Sequence, residues 1–457
     1  MLKLLILNII IIYMRIELPE LCVVALVGVS SSGKTTFAKT HFKPTEVLSS
    51  DHFRALVSDD ENNQQATPQA FDALYYIANK RLDSGLLTVI DATNVQRHAR
   101  ASVMRLAKEQ NCLAAAIVLD VPEETIRERN INRTDRNLKD KIITQQTELL
   151  RQSIDQLHKE GFRYVYVLSD EEEIKNVQIV RTPLWNNKKS ETGPFDIIGD
   201  IHGCYDELCN LLTKLKYKID AENFTAKHPN GRKAVFLGDL CDRGPKNAEV
   251  LRLVMNMVQE GGAWCVAGNH DVKLLKKING KNVQLTHGLD KTVEQLEAQD
   301  AEFKERVKNF ISGLISYYIF DNGRLIVSHA GIKEKYQGRS SGRVREFCLY
   351  GETTGETDEY GLPVRTPWAN EYKGKAFVVY GHIPAIEPEY QNNTVCIDTG
   401  CVFGGKLSSY RYPEKEIVYV KARSEYYAPL KPFARSCNAS GKKIEANDNN
   451  KNYENIL

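Results

Sequence analysis

The sequence predicts two α/β units, a parallel sheet covered by helices on both faces and then a four-layer α/β/β/α sandwich. Three observations lead there. The first half alternates short apolar runs with longer amphipathic ones, the second repeats short apolar strands ending in Asp, Asn or His, and a polar stretch separates them. A length of 457 residues exceeds one ordinary core and suggests roughly two to three domains.

Residues 1–13 open with an apolar run that is too short to span a bilayer and lacks a small-residue cleavage site, and Met14-Arg15-Ile16 restarts the chain. The expectation is a non-native or disordered extension, with a membrane anchor as the lesser alternative. A first domain is expected over 14–180. Its strands fall at 22–27, 46–49, 87–91, 113–119 and 164–168, and its helices at 34–41, 68–84, 97–110 and 123–129. Residues 186–193, Asn-Asn-Lys-Lys-Ser-Glu-Thr-Gly, have linker composition. A second domain is expected over 190–430, with strands at 196–199, 234–237, 264–267, 325–327, 377–379 and 394–397, and a disordered polar tail over 436–457.

The net charge of +2 argues against a broad duplex-wrapping surface and leaves room for a local positive groove. The Arg-rich segment 338–345 is one candidate for tracking a phosphate backbone, with a solvated loop as the alternative. Ten cysteines without a C-x-x-C pair read as buried thiols in a reducing, cytoplasmic compartment, not a zinc site.

Gly28-Val29-Ser30-Ser31-Ser32-Gly33-Lys34-Thr35 completes G-x-x-x-x-G-K-T between an apolar strand and a helix start. Backbone N–H groups of Gly28, Ser30, Ser31, Ser32, Gly33 and Thr36 close on phosphate, Lys34 neutralises charge and the Thr35 hydroxyl ligates Mg²⁺, so ATP and Mg²⁺ are expected. Asp51, at the mouth of the sheet, is placed to accept a proton from an attacking hydroxyl, and Arg54 to hold an acceptor phosphate. Asp91 ends another strand, where it could orient Mg²⁺ or cap a helix. Arg129 and Arg133, four apart, would share a helical face as a lid over the transferring phosphoryl. These residues resemble the kinase module of bacterial polynucleotide kinase-phosphatases. The resemblance implies ATP-dependent phosphorylation of a 5′-hydroxyl end, with Asp51 as general base.

Farther on come Asp200-x-His202, Gly238-Asp239-x-x-Asp242-Arg243, Asn269-His270-Asp271, His329 and His382. Two divalent metals about 3.5–4 Å apart need a bridging carboxylate with His and Asn ligands. Asp239 is the natural bridge, with Asp200, His202 and His382 assigned to the first metal and Asn269 and His329 to the second. His270 reads as a general acid and Arg243 as the phosphate contact. Mixed O/N donors suit transition metals such as Mn²⁺ or Ni²⁺.

This series resembles the calcineurin-like metallophosphoesterases, and residues 14–430 together resemble the bacterial polynucleotide 5′-kinase/3′-phosphatases of RNA repair. That resemblance implies removal of 2′,3′-cyclic phosphate, 2′-phosphate or 3′-phosphate from RNA ends, with DNA ends as an alternative, and matches Asp398 to a further polar position. Such proteins carry a C-terminal ligase domain that does not follow here, so a separate ligase in trans is expected, and the family implies cooperation with an RNA 3′-end methyltransferase. A homodimer is compatible with this reading and a membrane is not expected. Two alternatives stand beside it: a small-molecule kinase fused to a dinucleoside tetraphosphatase, and a Ser/Thr protein phosphatase with a regulatory NTPase domain.

Overall fold

The computed structural model describes residues 14–133 and 137–431. The expectations for 1–13 and 436–457 lie outside the described residues. Two compact units emerge, the residues up to Leu184 together with Gly338–Ser341, and Trp185–Gln337 with the residues from Gly342 on. Among the described residues no helix is long and apolar enough to cross a membrane, and all nine cysteines are free thiols.

In the first unit the strands Val47–Ser49, Thr88–Asp91, Cys22–Gly28, Leu113–Leu119 and Tyr164–Leu168 lie side by side in that order, all parallel. The run Cys22-Val23-Val24-Ala25-Leu26-Val27 is buried on both faces, as a central parallel strand covered by helices requires. Arg15–Pro19 and Gln178–Thr182 add a separate parallel pair.

Two sheets build the second unit. One orders Ala263–Cys265, Lys233–Phe236, Phe195–Ile198, Lys406–Tyr412 and Glu416–Lys421; the other orders Glu389–Gln391, Thr394–Cys396, Phe377–Tyr380, Leu325–Ser328, Tyr317–Phe320 and Asn187–Lys188. Alternation along the strands divides the core. Phe195, Ile197, Val235, Val327, Val379 and Val395 share one cluster between the sheets. Ile198, Ala234 and Phe236 pack outward on one helical layer, and Ile326, Val378 and Cys396 on the other. The chain therefore forms an α/β unit with a parallel sheet followed by the expected four-layer sandwich.

Two expectations are corrected. Residues 186–193 are no free linker: Asn187–Lys188 pairs parallel with Tyr317–Phe320, and the Glu191 carbonyl accepts the Asp321 N–H. A sheet edge takes a polar sequence readily, because backbone groups make the bonds while the side chains face water. Arg339 tracks no phosphate backbone. It is buried within the first unit, its Nη1 donating to the Gln110 carbonyl at 2.6 Å and its Nη2 to those of Leu82 and Asp83 at 3.0 and 2.9 Å, where two helices end.

Candidate functional site

In the first unit, the loop between Cys22–Gly28 and the helix Lys34–His41 turns through Ser31 and Gly33, both in the left-handed region, with φ of 69° and 94°. Two of the N–H groups expected to close on phosphate are taken by backbone carbonyls, that of Gly28 by the Thr93 carbonyl at 3.0 Å and that of Ser32 by the Val29 carbonyl at 3.1 Å. Lys34 Nζ donates to the Gly28 and Val29 carbonyls, and burial lowers it to about 8, against the raising effect of Asp91 and Asp51. The Ser31 and Ser32 hydroxyls are buried without a protein partner, which fits a polyanion seated there. Thr35 Oγ1 donates to Asp91 Oδ2 at 2.8 Å, placing hydroxyl and carboxylate together as a Mg²⁺ pair would be. Thr36 is exposed on the first helical turn.

Asp51 and Arg54 lie one helical turn apart and form an ion pair, with Arg54 buried and its Nε donating to the Glu61 carbonyl. Arg54 thus orients Asp51 here and does not reach out toward an acceptor phosphate. Arg129 Nη1 reaches the Ser32 carbonyl at 3.3 Å, and its Nη2 pairs with Glu171 at 2.7 Å, so it lies over the loop. Arg133 does not share its helical face. The helix stops at Ile131, and the Asn130 side chain turns the chain by bonding Asn137 and both backbone groups of Leu138. Arg133 nevertheless lies close enough to depress the Lys34 ammonium. One contact went unforeseen: Gln146 Oε1, on the helix Asp140–Ile154, accepts the Ser30 N–H at 2.9 Å.

In the second unit the motif residues leave the ends of strands from both sheets. His202, Asp239, Asp242, Arg243 and His382 all have φ between 47° and 74°, a left-handed cluster at non-glycine residues that the surrounding bonds must hold. The buried Asp271 carboxylate does so by accepting the N–H groups of Asp239, Leu240 and Gly268 at 2.9, 3.0 and 3.0 Å. Gly268 must remain glycine, since a Cβ there would come within 2.1 Å of the Asp239 nitrogen.

Each ligand imidazole is oriented from behind. His202 Nδ1 donates to the Cys241 carbonyl and His329 Nδ1 to that of Leu237, both at 2.9 Å, turning each Nε2 into the centre. Two sets of donors converge on Asp239: His202 with His270, and His329 with His382. Asn269 Oδ1 and His382 Nδ1 stand 2.9 and 3.0 Å from His329 Nε2. His382 therefore groups with His329 and Asn269, not with the first-metal residues. Leu325–Ser328 pairs with Phe377–Tyr380, so the residues just past those two strands are neighbours. Asp200 accepts the His382 N–H at 3.1 Å and stands close to Asp398 and Asp239.

Burial, then the Asp398 and Asp239 charges, push Asp200 well above the carboxylate range, and burial pushes Asp239 up to about 7 and Asp398 to about 6. Carboxylates crowded this closely, beside imidazoles held neutral by burial, fit a pair of divalent cations. His270 is held otherwise: its Nδ1 donates to Asp242 Oδ2 at 2.6 Å, and Thr292 secures the other carboxylate oxygen at 2.6 Å. Arg243 bridges His202 Nε2 and His270 Nε2 at 2.7 and 3.1 Å. Sequence reasoning missed Arg365, whose Nη2 donates to His382 Nε2 at 2.8 Å from the opposite flank. It stands in the hairpin Glu352–Thr357 and Pro363–Thr366, where no neighbouring residue marks it.

Together, fold and donor set define a phosphoesterase of the binuclear-metal class joined to a P-loop unit. Residues 193–407 match the calcineurin-like phosphoesterase family and residues 23–158 match an AAA domain family. The chain is 48% identical over 244 residues to bis(5′-nucleosyl)-tetraphosphatase PrpE [asymmetrical] of Anoxybacillus flavithermus (strain DSM 21510 / WK1), an alignment covering 99% of that protein and 52% of this chain. It is 46% identical over 236 residues to the PrpE of the same description from Bacillus subtilis (strain 168), covering 96% of that protein and 51% of this chain. The chain belongs to the calcineurin-like phosphoesterase family, with a kinase-like P-loop domain fused to it.

Proposed function

We propose that the second unit hydrolyses the polyphosphate bridge of a bis(5′-nucleosyl)-tetraphosphate asymmetrically, and that the first unit is an ATP-dependent kinase of a hydroxyl acceptor. The observation that carries the first half is identity of 48% over 99% of the length of a tetraphosphatase so described. Among the three readings taken from sequence, this favours the dinucleoside tetraphosphatase over RNA-end healing for the phosphoesterase.

The residues divide the work. Two divalent cations held by Asp200, His202, Asp239, Asn269, His329 and His382, for which Mn²⁺ or Ni²⁺ suits the donors, would neutralise phosphoryl oxygens and make water more acidic. Arg243 and Arg365 turn from the histidines to the phosphate oxygens, a charge-assisted contact roughly twice as strong as a neutral one. With substrate bound, His270 Nε2 takes up a proton from solvent; water then adds to phosphorus, releasing a proton to solvent, as the bridging P–O bond breaks, and the departing phosphate oxygen takes the Nε2 proton. Burial and then Arg243 hold the His270 imidazole well below its usual value, so it starts neutral. A bound phosphate engages Arg243 and supplies the negative charge that favours the imidazolium, which Asp242 supports from Nδ1. Cleavage beside a terminal phosphate leaves one nucleoside monophosphate and one nucleoside triphosphate.

In the first unit, Lys34 with the Ser31 and Ser32 hydroxyls receives the ATP phosphates, Thr35 and Asp91 hold Mg²⁺, Asp51 accepts the acceptor's hydroxyl proton, and Arg129 covers the transferring group. Asp51, held by Arg54 and close enough to Lys34 to act on its ammonium, also suits a second reading, in which the acceptor is a 5′-hydroxyl nucleic-acid end and the phosphoesterase clears 2′ or 3′ phosphates. A separate ligase would then seal the ends.

Diadenosine tetraphosphate and a 5′-hydroxyl, 3′-phosphate oligoribonucleotide with ATP, incubated in parallel with Mn²⁺, separate the two. Tetraphosphate turnover with kcat/KM at least about tenfold above 3′-phosphate removal is expected, and the reverse ranking overturns the assignment in favour of end healing.

A further inference from the structure

Beyond the helix Asn269–Ile278 the chain returns to the phosphoesterase centre along a pinned path. Lys273 Nζ donates to the Thr286 carbonyl and hydroxyl at 3.0 and 2.9 Å, and Gly288 packs so tightly that a Cβ would lie 2.1 Å from the Arg243 nitrogen. Just outside this contact, Leu285, His287, Asp290 and Lys291 line a cleft of about 360 Å³ with Tyr427 and Leu430 opposite. That volume falls within the range of small-molecule sites, roughly 300–1,000 Å³. Its apolar residues are open to solvent, Leu285 at 48% and Leu430 at 54%.

The cleft is coupled to the reacting centre along two walls. On one, the His287 ring stands edge-on to His270 at 6.5 Å, with His287 itself in the left-handed region at φ 62°. On the other, the Tyr427 ring lies 6.4 Å from that of Phe403, and the Phe403 face carries the Arg243 guanidinium at 5.1 Å. The cleft thus begins one aromatic ring away from each of the two groups that face a bound phosphate, beyond His287 on the His270 side and beyond Phe403 on the Arg243 side. The cleft offers an aromatic ring and two aliphatic groups for a flat apolar face, and a carboxylate and an ammonium for polar edges. A nucleoside has both features, and base–aromatic contact tolerates any base because each has a π face.

We infer that this cleft is the nucleoside subsite of the phosphoesterase, with Tyr427 as its base platform. The inference rests on the proposal that this centre acts on nucleotide phosphate esters, and it adds where the nucleoside sits. It assigns Tyr427, Leu285 and Leu430 to specificity and gives them no part in bond cleavage.

The test compares AMP with inorganic phosphate as competitive inhibitors of p-nitrophenyl phosphate hydrolysis by the full chain. AMP should inhibit the unmodified protein at about tenfold lower concentration or less. Tyr427→Ala should bring AMP to the level of phosphate, Tyr427→Phe should keep the advantage, and the inhibition constant of phosphate itself should be the same in all three proteins. Equal inhibition of the unmodified protein by AMP and phosphate, an advantage surviving in Tyr427→Ala, or a matching change in the inhibition constant of phosphate overturns the inference. Diadenosine tetraphosphate distinguishes the two levels of failure. No turnover of it alongside a Tyr427-dependent AMP advantage sinks the tetraphosphatase reading and leaves the subsite standing; full turnover with unchanged KM in Tyr427→Ala does the opposite.

Discussion

His270 Nδ1 lies 2.6 Å from Asp242 Oδ2, and the other Asp242 oxygen is taken by Thr292, so the carboxylate is fixed on both sides and the imidazole can face the centre only through Nε2. Asp242 belongs to the same Gly-Asp-x-x-Asp-Arg run as Asp239, proposed as the metal bridge, and Arg243, proposed as the phosphate contact. On the proposed function, one turn would supply metal bridge, proton-relay support and substrate contact.

Asp242→Asn should remove that support from the imidazolium and lower kcat by about 10²-fold or more, in the range for a lost general acid. The loss should shrink for aryl phosphates with acidic leaving groups, which need no proton. A loss independent of leaving-group pKa, measured across a substituted phenyl phosphate series, would assign the dyad a purely structural role.

Arg365→Ala should raise KM for p-nitrophenyl phosphate by about tenfold or more, the worth of a charged hydrogen bond. Its far-UV circular dichroism should stay unchanged, since Arg365 lies in a two-stranded hairpin that is half-buried on its own strand and largely exposed on the other. Unaltered steady-state kinetics would remove Arg365 from the phosphate clamp.

Lys34→Ala should abolish binding of a fluorescent ATP analogue and spare phosphoesterase turnover, and Asp239→Ala should do the reverse. Loss of both activities in either variant would contradict independent chemistries in the two units.

How much of this was legible in the sequence follows from where each constraint lies. The phosphate loop and the metal motifs are contiguous because a strand end, a glycine-permitted turn and a ligand occur within a few residues, and all five strands of the first sheet could be read from apolar runs. Arg365 and Gln146 could not, since each reaches its site from a distant element and is ordinary among its neighbours. His382 was legible as a member of the cluster but not in its grouping beside His329 and Asn269, which strand pairing decides. Arg133 was misplaced because the helix ends two residues early, through a side-chain turn at Asn130 that periodicity does not encode.

Arg232 was likewise unmarked in sequence, yet it pairs with Asp196 at 2.7 Å where both side chains are almost fully buried, and it also binds Glu414 at 2.6 Å. Arg232→Met should leave the buried Asp196 with only Arg411, whose Nε stands 3.3 Å away, and destabilise the second unit by about 3 kcal/mol, the lower end for breaking a buried pair. Urea unfolding of the full chain should show the transition of the second unit moved down and that of the first unchanged.

The central claim is that the second unit cleaves a dinucleoside tetraphosphate asymmetrically with metals bridged by Asp239. Product analysis by ion-exchange chromatography tests it most directly, using diadenosine tetraphosphate, Mn²⁺ and the purified chain. The account predicts AMP and ATP in equal amounts from the start of the reaction, none after chelation and none from Asp239→Ala. Two equivalents of ADP, or intact substrate under conditions where p-nitrophenyl phosphate is hydrolysed, would contradict it.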